Sequence, residues 1–152
     1  MNKRIFSIGL ALMLGAGYSL TAFPQVKPET LVKQRQAAMV LQGKYWGPLS
    51  GMAQGKVPYD AAVVARNAGF LEALSKMPWD GFVPSTKDVK SAALLTVITD
   101  AAKFKEAQDR LEREVSKLVA VSKGGDEAAV KAQLVATGKT CGGCHETFRE
   151  KQ

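Results

Sequence analysis

Cys141-Gly142-Gly143-Cys144-His145 contains both cysteines and the only histidine of a 152-residue chain. All the thiol and imidazole ligands therefore fall in the last dozen residues. Whatever they hold must be enclosed by chain that precedes them, so an early element has to fold back across this segment. Two thiols three residues apart project from one side of a helix. A disulfide between them would be strained and would close a loop too small to stabilise much. C-x-x-C-H is instead the spacing of covalent haem attachment: two thiols add across the vinyl groups of one porphyrin edge, and the next imidazole stands where it binds iron. Cys141 and Cys144 are read as the attachment points of one haem c, and His145 as an iron ligand. No second histidine exists for the other axial position.

Two other chemistries use such cysteines. A thiol–disulfide oxidoreductase wants C-x-x-C at a strand-to-helix junction, and no stretch here alternates as a strand does. A structural zinc site wants about four ligands, commonly in two separated pairs. Here at most three are available, crowded together.

The other end of the chain, "MNKRIFSIGLALMLGAGYSLTA", puts Lys3 and Arg4 before an apolar run from Ile5 to Leu14 and then small residues. This is the layout of a secretory signal, expected over residues 1–22 with cleavage after Ala22, leaving 23–152 as one domain. Gly15, Gly17 and Ser19 break the run short of the roughly 20 residues that span a bilayer. No membrane span is expected once the signal is removed. Export makes the expected location periplasmic. Loss of Lys3 and Arg4 lowers the formal charge of +7 by two. The remaining basic residues mingle with acidic ones, as in "KFKEAQDRLEREVSK", so nucleic acid is not an expected partner.

Four helices are expected in between. The first begins near Pro28 and Glu29, which suit a helix start. Val32, Arg35, Met39, Gln42 and Trp46 then recur at three- and four-residue steps. Gly47 and Pro48 are expected to bend or end it. Asp60 is expected to cap the second helix, with Val64, Asn67, Leu71 and Leu74 facing inward. A long connection rich in turn formers begins at "PWDGFVPSTKD" and runs to about Ile98, with room for a short helical turn after Val89. The third helix starts near Thr99 or Asp100 and steps through Phe104, Gln108, Leu111, Val115 and Leu118. Gly124 and Gly125 break it. Asp126 caps the fourth, whose stripe is Val130, Leu134, Thr137, Cys141, Cys144 and Phe148. The expected fold is all-α: an antiparallel four-helix bundle with a covalently bound haem c and the first helix beside the fourth.

A haem motif on the last of four helices resembles the class II cytochromes c, the cytochrome c prime family, over essentially the whole mature chain. "KQRQAAM" is similar to the family's Arg-Gln pair and the distal residue after it. "GKVPYDAA" resembles its turn into helix two, "DAAKFK" the start of helix three, and "CGGCHETFREK" its haem helix. The resemblance implies that His145 is the proximal ligand, that Arg35 and Gln36 lie near the haem propionates, that Phe148 packs beside the haem and that Arg149 neighbours the imidazole. Arg35 also stands on its own physics, since an arginine in an apolar stripe needs an anion or must snorkel at the bundle edge. Periplasmic redox partner proteins are implied, and homodimers packed through helices one and two. The small residues of "ARNAGFLEAL" would permit such packing, although core packing explains them equally well.

Met39 separates two functions. Read as the distal iron ligand, it makes the protein a low-spin electron carrier with His145/Met39 coordination. That is the leading expectation. The alternative takes Met39 as filler shielding a five-coordinate, high-spin iron that binds gases such as NO or CO. Met52 and Met77 stand in worse register. Neither reading is an enzyme: no Ser/His/Asp set or carboxylate pair stands out, and "AAMVL" offers no polar distal pocket.

Overall fold

Capping and apolar periodicity set the helices of this chain. The computed structural model describes residues 25–151; the signal peptide expected over 1–22 lies outside the described residues. In order the helices are α1 (Pro28–Ala53), α2 (Ala61–Leu74), the short α3 (Thr96–Thr99), α4 (Ala101–Ser122) and α5 (Glu127–Phe148). The Asp60 carboxylate accepts from the Val63 amide at 3.0 Å and starts α2. The Asp126 carboxylate does the same for α5 through Ala128 and Ala129. Between α4 and α5 the chain turns at Gly125, whose φ of 74° is open to glycine without strain.

Four of the helices form the bundle. Phe104 at the start of α4 packs on Phe148 at the end of α5, with ring centroids 5.0 Å apart, while Gln133 reaches Glu114 further along. These two helices therefore run antiparallel. So do α1 and α2, because Asn67 donates to the Tyr45 carbonyl and Gln42 to that of Leu74. Leu49, Val64, Ala68, Leu71, Val115, Leu118, Val130 and Leu134 form the apolar core between them. The inward stripes expected for α2 and α4 are buried as read. Among the described residues no helix is long and apolar enough to cross a membrane.

Two expectations are corrected. α1 does not end at Pro48 but continues to Ala53, burying Leu49 and Met52 in the core. A proline removes one helical donor and crowds the carbonyl four residues earlier. Here that carbonyl belongs to Lys44; the next one, that of Tyr45, accepts from the Asn67 side-chain amide of the neighbouring helix at 3.0 Å. Further on, the connection between α2 and α4 is more structured than expected. It holds 3₁₀ turns at Trp79–Gly81 and Pro84–Thr86 before α3, and then an antiparallel bridge between Ala93 and Arg149. Leu94 donates to the Phe148 carbonyl at 2.9 Å, and Glu150 to that of Ala92 at 2.8 Å. The connection is thus stitched to the end of α5.

Candidate functional site

One cavity of about 620 Å³ opens between α1 and α5, a size typical of cofactor sites. All eight residues singled out from the sequence line it: Arg35, Gln36 and Met39 from α1, and Cys141, Cys144, His145, Phe148 and Arg149 from α5 and its end. The helical spacing explains the gathering. Arg35 and Met39 are four apart on α1, and Cys141, Cys144, His145 and Phe148 follow one side of α5. Two further methionines fall elsewhere, Met52 in the core and Met77 at 56% exposure.

Other lining residues were not anticipated as part of the site. Leu71, Leu111 and Val115 reach it from α2 and α4, and Trp79, Phe82, Phe104 and Val97 close one end. Phe104 stands at the centre of an aromatic group, with ring centroids 6.0 Å from Trp79, 4.9 Å from Phe82 and 5.0 Å from Phe148. The Trp79 indole N–H donates to Glu112 at 2.9 Å. Two aromatics among the turn formers of "PWDGF" were the available signal. Periodicity could not raise it, because the segment has none.

Arg35 is 4% exposed. One guanidinium nitrogen donates to the Gly81 carbonyl at 2.6 Å and to the Thr86 hydroxyl at 3.1 Å, and the other to the Ser91 hydroxyl at 2.9 Å. The group also lies 4.3 Å from the centre of the Phe82 ring. It does not snorkel. Burial lowers its pKa from the ordinary arginine value, yet arginine stays charged. These three oxygens are neutral, so a positive charge is held at the cavity wall where an anionic group of a ligand would be stabilised.

The thiols and the imidazole have the protonation that suits a covalently held metallocofactor. Cys141 and Cys144 are free, and burial raises both thiol pKa values. Neither is the low-pKa thiolate of a redox enzyme. Burial, and then the charge of Arg149, lower the pKa of His145. The neutral imidazole that binds metals is therefore favoured near neutral pH. Among the described residues no three His, Cys, Asp or Glu side chains are grouped to hold a bare metal ion. Two adjacent thiols, one imidazole, a buried cation and an apolar chamber fit a flat, largely apolar, anion-bearing group that brings its own metal.

The comparisons with known proteins agree. Residues 30–149 match the family model described as Cytochrome C'. A cytochrome c' of Rubrivivax gelatinosus is 43% identical over 126 residues, covering 82% of this chain and 98% of the relative. The crystal structure of cytochrome c' from that organism superposes with a TM-score of 0.78 at 41% identity, over 84% of this chain and all of the other. A nitric oxide complex of a variant of cytochrome c prime from Alcaligenes xylosoxidans gives a TM-score of 0.77 at 34% identity, over 85% of this chain and all of that one.

Proposed function

The chain belongs to the cytochrome c' family, and on that premise we propose that it is a high-spin haem protein binding small gases such as NO or CO on the Met39 side of its haem. Its cofactor is one covalent haem c, and at the coarser level it is a haem protein of electron transfer or gas binding. When bound, that group supplies an iron that changes between ferric and ferrous states and accepts a small axial ligand.

In this reading the chain's own residues divide the work. Cys141 and Cys144 anchor the porphyrin edge. His145, whose pKa partial burial and the charge of Arg149 lower, would take the proximal place, with Phe148 packed beside the ring and Arg149 next to the imidazole. Arg35, with Gln36 beside it, offers its buried charge to the propionates. Met39 closes the α1 side of the chamber. It is half-buried and has apolar neighbours in Val40 and Trp46 on the wall. Such a wall admits a diatomic. The observation that carries the reading is the likeness to a cytochrome c prime solved with nitric oxide.

Methionine ligation led when only the sequence was considered and now comes second. It keeps one argument: Met39 and His145 line the same cavity, and a Met/His pair would make an electron carrier. The ferric absorption spectrum separates the two. High-spin bands, unchanged in character by Met39→Ala and accompanied by faster CO binding, are expected. The weak far-red band of methionine bound to ferric iron, lost in Met39→Ala, would reverse the order.

The export signal expected over 1–22 and membership of the cytochrome c' family support a periplasmic location, with electrons exchanged with redox proteins there. A homodimer through α1 and α2 completes the proposal.

A further inference from the structure

Gly138 sits on α5, three residues before Cys141, and has no assigned part in the site. A side chain there would be crowded: an ideal Cβ would lie 3.0 Å from Cζ2 of Trp46 and 3.6 Å from Cη2, so ring and helix would have to part by a few tenths of an ångström. α1 and α5 thus touch through the Trp46 ring and the bare backbone of Gly138. Trp46 is half-buried, lines the cavity and packs against the core, so a shift of its ring is felt in the chamber.

The position of this contact gives it leverage. Met39 lies seven residues before Trp46, and His145 seven residues after Gly138. Seven residues are close to two helical turns, so each of these residues faces the same way as its contact residue, about 10 Å away along the axis. α1 and α5 run antiparallel: Trp46 meets Gly138, while Arg35 bonds Ser91 in the segment that pairs with Arg149. Stepping back along α1 and forward along α5 therefore moves in one direction. Met39 and His145, which both line the cavity, thus stand at about one height on α1 and α5, each about two turns from the Trp46–Gly138 contact. Nearer the other end of the stripe a second glycine is equally tight. A Cβ on Gly81 would lie 3.0 Å from both Arg35 Cβ and the Leu31 carbonyl. Met39 is bracketed by two places where α1 is seated on glycine.

We infer that Gly138 is a positioning residue: by admitting Trp46 against α5 it sets the span between Met39 and His145, and so how much room the distal side of the haem leaves for a ligand. The inference rests on the haem site proposed above and deepens it, since it names what fixes the tightness of the distal wall. Adding one methyl at Gly138 should lever α1 outward. Alanine is also the better helix former, so any loss at the site is not a loss of helix propensity.

The test compares the holoprotein with Gly138→Ala, Trp46→Phe, the double variant and Gly47→Ala. Gly47 receives the same methyl on α1 with nothing within 4 Å. Ferric spectra report the spin state, and stopped-flow mixing of the ferrous protein with CO reports access. In a high-spin wild type, Gly138→Ala should bind CO several-fold faster and Trp46→Phe more slowly. The double variant, in which Phe lacks the crowding ring atoms, should return to the wild-type rate, and Gly47→Ala should match wild type. A wild type that proves methionine-ligated defeats the open-iron proposal but not this inference; Gly138→Ala should then raise the high-spin fraction and the double variant reverse it. Unchanged CO rates and spin state in Gly138→Ala overturn the inference and leave the open-iron proposal standing, as does failure of Trp46→Phe to compensate. Should Gly138→Ala fail to retain haem, an unaltered CO rate in Trp46→Phe overturns it alone.

Discussion

Arg35 shows how a residue can be read correctly in kind and incompletely in role. Its place in an apolar stripe implied either a cation held for an anion or one snorkelling at the bundle edge, and it is buried. Its hold on Gly81, Thr86 and Ser91 was not legible, because these acceptors lie 46 to 56 residues later in a segment without period. The guanidinium fork is what lets one side chain reach all three. Truncation in Arg35→Ala leaves the Gly81 carbonyl short of a donor and unties the connection from α1. With hydrogen bonds from charged groups each contributing about 1.5–3 kcal/mol and partly compensating one another, the expected loss is about 2–4 kcal/mol in denaturant unfolding of the holoprotein. Arg35→Lys should recover less than half of it, since an ammonium on a flexible stem cannot bond three fixed acceptors at once. Full recovery by lysine would mean that charge matters here and geometry does not.

Among the elements, α4 was legible almost residue by residue, because Phe104, Gln108, Leu111, Val115 and Leu118 keep an unbroken stripe and all are buried. α1 misled at Pro48 because the helix runs on to Ala53 although Pro48 has no amide to give to the Lys44 carbonyl. Asn67 stood out as a polar residue on the inner stripe of α2, and only the packed structure shows its amide donating to the Tyr45 carbonyl. Asn67→Leu should therefore leave a carbonyl of α1 without that donor, at a cost of about 1–3 kcal/mol in thermal or denaturant unfolding. Asn67→Asp should cost more, because a buried carboxylate would face a carbonyl oxygen. Both should leave the haem spectrum unchanged, since Asn67 does not line the cavity. Equal stability of Asn67→Leu and wild type would mean that the α1 turn does not need the donor. The connection after α2 was the least legible element. Its 3₁₀ turns are too short to set up a period, and its bridge to Arg149 depends on where α5 ends.

At the scale of the whole molecule, α5 and α1 close on the cavity, and part of the apolar surface of α1 and α2 is left facing outward. Leu41 is 41% and Phe70 45% exposed. Tyr45, one turn after Leu41, stacks on Phe70 with ring centroids 4.6 Å apart, so the three side chains form one patch across the two helices. An apolar patch on adjacent helices is self-complementary under a two-fold axis, the commonest symmetry of soluble dimers, and continuous exposed apolar surface of this kind marks interaction faces. The dimer proposed above would use this face. Phe70→Glu should drive the protein to monomer at concentrations where the wild type is dimeric, because two carboxylates would be desolvated near the axis. Leu41→Glu should do the same. A charge placed at Val135, which is 48% exposed on α5, should leave the association unchanged. Sedimentation velocity across a dilution series reads all four proteins, and the haem spectrum, set on the other side of α1, should be the same in each. A wild type that sediments as a monomer throughout would remove the dimer from the proposal and leave the haem site as argued.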